Sequence, residues 1–252
     1  MAATVTRADH VLAASIATEA GTLLVELRAA LVAAGAPAEQ LRAEGDRQAH
    51  ELIVAALAAA RPDDAVLSEE GRADPARLTA DRVWIVDPLD GSREFSEPPR
   101  PDWAVHVALV VGGRPVAGAV ALPADGITLS TAEPPPPPAP APRPPRIVVS
   151  RTRPPAGALH VADVLGGELV ELGSAGAKAM AVVRGEVDVY VHAGGQYEWD
   201  SAAPVAVAAA AGLHVSRADG SPLIYNNADP YLPDLLICQP ALAERVVALF
   251  TT

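Results

Sequence analysis

From residue 5 to 34, Val11, Ile16, Leu23, Leu24, Leu27 and Leu31 recur at mostly helical spacing, and the run stops at Gly35. This predicts a long first helix. A second helical pattern spans about Asp46 to Ala60 and ends at Arg61-Pro62. Ala65 to Ser68 reads as a short strand leading into Glu69-Glu70, and Arg82 to Val86 as a buried strand ending at Asp87. Two further apolar β-type runs, Trp103 to Val111 and Val116 to Leu122, flank the turn signal Gly112-Gly113.

Residues 134 to 145 break this pattern, because proline dominates them. Proline lacks the N–H that a helix interior or central strand needs, so the stretch predicts an extended, exposed loop or linker. A passive connector is the simpler reading; composition does not establish a PxxP ligand.

Beyond it, strands are predicted over Arg146 to Ser150, Glu168 to Leu172, Val187 to His192 and Leu235 to Cys238. Helices are predicted over Ala177 to Arg184 and Ser201 to Ala211, and from about Ala241. Helix or loop occupies the stretch up to Leu165. The alternation implies layered α and β elements in two halves, 1–133 and 146–252, divided at the proline loop.

The chain has 252 residues, half of them hydrophobic but only 4% aromatic, so its core is built from small side chains such as Ala and Val. The net charge of -12 argues against binding a nucleic-acid polymer, which needs Lys and Arg clusters. It leaves a small phosphorylated substrate open, provided that cations neutralise the phosphate locally. The single cysteine, Cys238, excludes an intrachain disulfide and a cysteine zinc site; its apolar setting predicts a buried structural thiol. Arg7, Asp9 and Glu19 interrupt any leader-like apolar run, and no stretch reaches the length of a membrane span. A cytoplasmic protein without a membrane partner is the expectation.

Trp84-Ile85-Val86-Asp87-Pro88-Leu89-Asp90-Gly91-Ser92-Arg93-Glu94-Phe95 is the most informative segment. An apolar strand delivers two aspartates three residues apart, with the Leu89 carbonyl between them. Such an all-oxygen set suits a hard divalent cation, for instance Mg²⁺. Gly91-Ser92-Arg93 then opens a helix whose free N–H groups can face a phosphate. Taken alone, the segment is more often a solvated surface turn. Two companions change that balance: Glu69-Glu70 also follows a strand, and Asp200, in Trp199-Asp200-Ser201-Ala202-Ala203, starts an Ala-rich helix. Their ordinary readings are an exposed loop and an N-cap.

Together, Leu67-Ser68-Glu69-Glu70, Trp84 to Phe95 and Trp199 to Ala203 resemble the three defining motifs of the inositol monophosphatase superfamily, in order and at family-like separations. The Asp90-Gly91-Ser92-Arg93-Glu94-Phe95 variant resembles the CysQ branch, the 3'(2'),5'-bisphosphate nucleotidases. Gly194-Gly195-Gln196, Ser221-Pro222-Leu223 and Pro230 to Asp234 are similar to actinobacterial members. The resemblance covers most of the chain from about Asp46, except the proline loop.

The resemblance implies an α/β fold, the αβαβα sandwich of the inositol monophosphatase and fructose-1,6-bisphosphatase type. It implies a Mg²⁺-dependent, lithium-sensitive phosphatase that hydrolyses adenosine 3',5'-bisphosphate to AMP and phosphate with metal-activated water, clearing a by-product of sulfate activation. An inositol phosphate or fructose 1,6-bisphosphate is the alternative substrate on the same metal site, and a binding protein without turnover is the reading from another class. Glu69, Asp87, the Leu89 carbonyl, Asp90 and Asp200 would hold two Mg²⁺ ions. A third metal at Asp46 is left open, as is a homodimer. Ser92 stands where the family has threonine, and Asp46 matches its acidic partner, although an N-cap reading of Asp46 is equally good and the usual Lys and Val-Thr upstream are missing.

By the same resemblance, Leu89 to Arg93, Gly173, Ser174 and Asp200 would contact the substrate. Lys178 is expected to be a solvated helix lysine rather than a phosphate contact. His106, His192 and His214 are expected as core or surface residues rather than ligands, and Trp84 as core. Trp103 is either core or an adenine platform.

Overall fold

The computed structural model describes residues 4–72, 74–139 and 143–251. Two long helices, α1 (Arg7–Ala33) and α2 (Ala38–Ala60), precede a five-stranded sheet of β1 (Ala65–Ser68), β2 (Arg82–Asp90), β3 (Ala104–Val111), β4 (Arg114–Leu122) and β5 (Ile127–Ser130). A single helical turn, α3 (Ser92–Phe95), interrupts β2 and β3. The second sheet is built from β6 (Arg146–Ser150), β7 (Glu168–Leu172), β8 (Val189–Tyr197), β9 (His214–Ser216) and β10 (Tyr231–Cys238), in the order β7-β6-β8-β10-β9. Helices α4 (Ala156–Leu165), α5 (Ala175–Val183), α6 (Glu198–Ala210) and α7 (Pro240–Val247) complete the chain.

Side-chain alternation on the strands explains the layering. In β2, Val83 and Ile85 face one way, into a core shared with α5, α6 and the inner side of the second sheet. Trp84 and Val86 face the other way, onto α1 and α2. Ile147, Val149, Leu236 and Cys238 point outward from the second sheet onto α4 and α7. A strand buried on both faces reads as a continuous apolar run, as these do. The result is five layers, α1–α2, first sheet, α5–α6, second sheet and α4–α7, which is the expected αβαβα arrangement.

Small residues make the central layer possible. A methyl group on Gly118 of β4 would come within 2.9 Å of the Ala206 Cβ on α6, so helix and sheet touch nearly backbone to backbone. On the opposite face, a methyl on Gly45 of α2 would meet Leu89 at 2.7 Å and Phe95 at 3.0 Å. That close approach lays α2 directly on the loop that follows β2.

Several sequence expectations shift. Helix α2 starts at Ala38, so Asp46 lies well inside it and is no N-cap. Strands β8 and β10 run longer than expected, to Tyr197 and from Tyr231, and β5 and β9 are additional. Trp103 is core: it is buried and meets Phe95 edge to face at 5.0 Å. Cys238 is fully buried, and burial pushes its thiol up to about 12. The proline stretch has no helix or strand in its described parts, and Pro137 and Pro138 lie over Gly212 and Gly185 at the ends of α6 and α5; residues 140–142 lie outside the described residues. Among the described residues, no helix is long and apolar enough to cross a membrane.

Candidate metal and phosphate site

Asp87 pairs with His106 across the β2–β3 ladder, yet Asp90 pairs with Ala104, so β2 carries one extra residue between them. In a regular strand, residues three apart point to opposite faces. The bulge resets that alternation. It allows Asp87 and Asp90 to converge with Asp200, each offering an oxygen within 4.8 Å of the others. Asp87 and Asp90 are buried; Asp200, in the first turn of α6, is half-buried and accepts the Tyr197 N–H at 2.6 Å.

Glu69 enters from the turn after β1, where its N–H donates to the Val86 carbonyl at 3.3 Å. It retains solvent exposure and lies outside the tight aspartate triad, but its carboxyl interacts directly with that of Asp87. His50, one turn beyond Asp46 on α2, meets the Ser68 hydroxyl at 2.9 Å and ties α2 to this turn.

The electrostatics are those of an acid cluster short of positive charge. Burial, then the charges of Glu69, Asp90 and Asp200, raise the Asp87 carboxyl well above its ordinary range. Desolvation within the cleft, partly offset by the hydrogen bond with Asp87 and reinforced by neighbouring acids, raises Glu69 to about 7. Burial and Asp90 raise Asp200 to about 6, and burial with the Glu70 charge raises Asp46 to about 7. Full ionisation of such a cluster needs a cation, and an all-carboxylate donor set fits a hard one such as Mg²⁺.

Asp90 differs. Burial raises its carboxyl, but the nearby charge of His106 and hydrogen bonds from the Ser174 hydroxyl and the Gly176 N–H outweigh this and hold it at about 2. Its Oδ2 accepts the Ser174 hydroxyl and the Gly176 N–H at 2.5 Å, while Oδ1 accepts the Ala175 N–H at 3.2 Å. Asp90 thus also anchors the start of α5.

The Gly173-Ser174 loop is firmly held. Asp102 accepts the Gly173 N–H at 2.7 Å, and Ser174 is buried with its hydroxyl committed to Asp90. Lys178 corrects the expectation of a solvated lysine: it is buried, donating to the Gly173 carbonyl and, at 2.8 Å, to the Ser174 carbonyl. Burial lowers its pKa despite the surrounding acids. His106 is core, as expected, but it also sits 3.2 Å from Asp90. His192 and His214 bond to the Gly195 carbonyl and the Ser216 hydroxyl.

Gly91, at φ 85°, makes the left-handed entry to α3 that its lack of a side chain permits. Ser92 and Arg93 follow, lining a cavity of about 230 Å³ with Gly173 and Arg153. Among the described residues, no hydrogen bond joins Ser92 to Asp46. A second cleft, of about 320 Å³, runs from Asp90 and Asp200 past Lys178 to Tyr197 and Tyr231. A groove of about 500 Å³ between α1 and β5 holds none of these residues.

Residues 3–134 and 148–251 match the model of the inositol monophosphatase family. A Mycobacterium tuberculosis protein named 3'-phosphoadenosine 5'-phosphate phosphatase is 54% identical over 234 residues, covering 89% of this chain and 86% of that protein. The 3'(2'),5'-bisphosphate nucleotidase CysQ of Escherichia coli is 34% identical, covering 74% of this chain and 80% of its own. The crystal structure of CysQ from Bacteroides thetaiotaomicron superposes with a TM-score of 0.78 at 29% identity, covering 92% and 97% of the two chains.

Proposed function

The chain belongs to the inositol monophosphatase family, and we propose that it is a Mg²⁺-dependent phosphatase that converts adenosine 3',5'-bisphosphate to AMP and phosphate. The observation that carries this reading is the convergence of Asp87, Asp90 and Asp200 beside the Gly91-Ser92 turn, at one end of a cleft of nucleotide size. The similarity to the M. tuberculosis phosphatase selects the nucleotide over inositol or sugar phosphates.

Glu69, Asp87, the Leu89 carbonyl, Asp90 and Asp200 would hold two Mg²⁺ ions. When bound, these supply Lewis-acid stabilisation of the phosphoryl and leaving oxygens and make water a nucleophile at neutral pH. The protein's own groups do the positioning. The backbone N–H groups of Gly91 and Ser92, with the Arg93 guanidinium, hold the phosphate oxygens. The Ser92 hydroxyl orients the attacking water. Asp46 receives its proton: α2 packs through Gly45 against Leu89 and Phe95, on either side of Ser92, and a carboxyl at about 7 suits a proton acceptor near neutral pH. Glu69 assists beside Asp87. Gly173 and Ser174 wall the substrate on the α5 side. A buried thiol at Cys238 asks for no oxidising compartment, in keeping with action in the cytoplasm.

Phosphate release by the purified protein with Mg²⁺ tests this, comparing adenosine 3',5'-bisphosphate, inositol 1-phosphate and fructose 1,6-bisphosphate with and without Li⁺. Preference for the nucleotide and inhibition by Li⁺ are expected. Preference for inositol 1-phosphate or the sugar bisphosphate would overturn the substrate assignment, and no release from any would overturn the activity.

A further inference from the structure

The cleft that begins at Asp200 has an aromatic wall. Tyr197 stacks on Trp199 with ring centroids 4.8 Å apart and planes 11° apart, and Tyr231 meets Tyr197 edge-on at 6.1 Å. Both tyrosines line the cleft, and both are nearly half exposed, at 46% and 47%. They lie opposite each other across the β8–β10 ladder. Gly195, at φ 85°, leaves the room that the Tyr231 ring occupies: a methyl there would fall 2.2 Å from its hydroxyl oxygen. In a chain only 4% aromatic, this is a costly place to leave rings exposed.

Two polar features in the same cleft are unspent. Gln196 is 7% exposed, and neither its Oε1 nor its Nε2 has a partner. A buried amide without partners costs stability unless a ligand uses it. Arg153, on the loop after β6, lines the same cleft and makes no ion pair among the described residues.

We propose that Tyr197 and Tyr231 form a nucleobase subsite, on which the purine ring of the substrate stacks while the Gln196 amide meets its edge. The amide carries one donor side and one acceptor side, the pattern that matches the N6–H and N7 edge of adenine. Flat rings accept a base face with little ordering cost, because two torsions fix each tyrosine. This subsite would separate nucleotides from inositol and sugar phosphates that share the same metal chemistry. The inference rests on the nucleotide reading given above.

Titration calorimetry of the Mg²⁺-loaded protein with AMP and with ribose 5-phosphate tests it, because the two probes differ by the base alone. The unmodified protein is expected to bind AMP at least about tenfold more tightly, the scale of one base–aromatic stack. Tyr197→Ala should bring the two affinities to within about twofold, and Tyr197→Phe should keep most of the difference, since the ring alone does the stacking. The Tyr197 backbone N–H that holds Asp200 is retained in both variants. An AMP advantage unchanged in Tyr197→Ala, or absent from the unmodified protein, would overturn the subsite. Hydrolysis of inositol 1-phosphate but not of the bisphosphate nucleotide would instead overturn the substrate assignment, and the ratio of binding constants would still decide the base wall.

Discussion

His106 Nε2 lies 3.2 Å from Asp90 Oδ2 in the buried interior. The other ring nitrogen, Nδ1, is 3.0 Å from the Trp199 carbonyl, which can only accept, so it carries a proton. A neutral ring would then turn a lone pair toward a carboxylate. Burial is the largest single influence and lowers the His106 pKa, but Asp90, the Trp199 carbonyl and Asp200 together outweigh it and the net shift is upward. The upward shift favours the imidazolium opposite the Asp90 carboxylate, and the contact links β3 to the end of β2 and the first turn of α6. Gly176 makes room for it, since a methyl there would fall 2.1 Å from His106 Nε2.

Replacing His106 by Leu leaves Asp90 buried without its counter-charge. Removing one partner of a buried ion pair costs about 3–5 kcal/mol. Urea unfolding of the metal-free variant should show a loss of that size. A loss under about 1 kcal/mol, as for an exposed pair, would mean that the ring is neutral or the contact weak.

Lys178→Met should also destabilise, for a different reason. It keeps an unbranched buried chain of similar length but removes the ammonium that lies 5.5 Å from the Tyr190 ring centroid, and it strands the Gly173 and Ser174 carbonyls that the ammonium satisfies. A loss of about 1–3 kcal/mol is expected in chemical unfolding, the scale of buried unpaired acceptors.

The aspartate cluster was legible only from three separated segments read together: the Asp87-to-Asp90 stretch alone reads as a surface turn, and Glu69-Glu70 and Asp200 changed that balance before the fold brought Asp87, Asp90 and Asp200 within reach of one another. The extra residue that turns both aspartates to one side was not, because a bulge is defined only against the partner strand, here His106 and Ala104. Lys178 was misread for the same reason. Nothing near it in sequence announces that Tyr190 and two carbonyls enclose it. In α2, the core face runs Leu41, Gly45, Ala49, Ile53, Leu57 at every fourth position. Gly45 contributes closeness rather than a side chain, so the apolar period seemed to begin later than it does. The layering, by contrast, was legible in the alternation of α and β segments along the chain, and its αβαβα order in the resemblance to the inositol monophosphatase superfamily.

Acidity should stabilise the metal-free protein. Asp46 and Glu69 have folded values near 7 and Asp200 near 6, above their ordinary values of 3.8, 4.5 and 3.8. Between those limits the folded state holds more protons than the unfolded one, so stability falls as pH rises. The lowered carboxylates act elsewhere: Asp90 titrates near 2, so its contribution is complete well below this window. Melting temperature without metal should therefore decline from about pH 5 to pH 7.5. Mg²⁺ competes with the same protons and should raise melting temperature more at pH 8 than at pH 5. Equal Mg²⁺ shifts at both values would sink the link between cluster and metal.

Asp200→Asn separates charge from architecture at the proposed metal site. The asparagine amide oxygen can still accept the Tyr197 N–H, so the first turn of α6 keeps its bond. Burial and the Asp90 charge already disfavour ionised Asp200 in the metal-free protein, so removing that charge should leave metal-free stability unchanged or slightly raised. Turnover should behave oppositely. A neutral amide is a poor ligand for a hard dication, and losing one anionic donor should lower kcat by at least about a hundredfold, comparable to removing a transition-state electrostatic contact. Higher Mg²⁺ should recover part of the loss if Asp200 acts through the metal. Wild-type turnover would remove Asp200 from the site, while a large fall in metal-free stability would assign it a structural task instead.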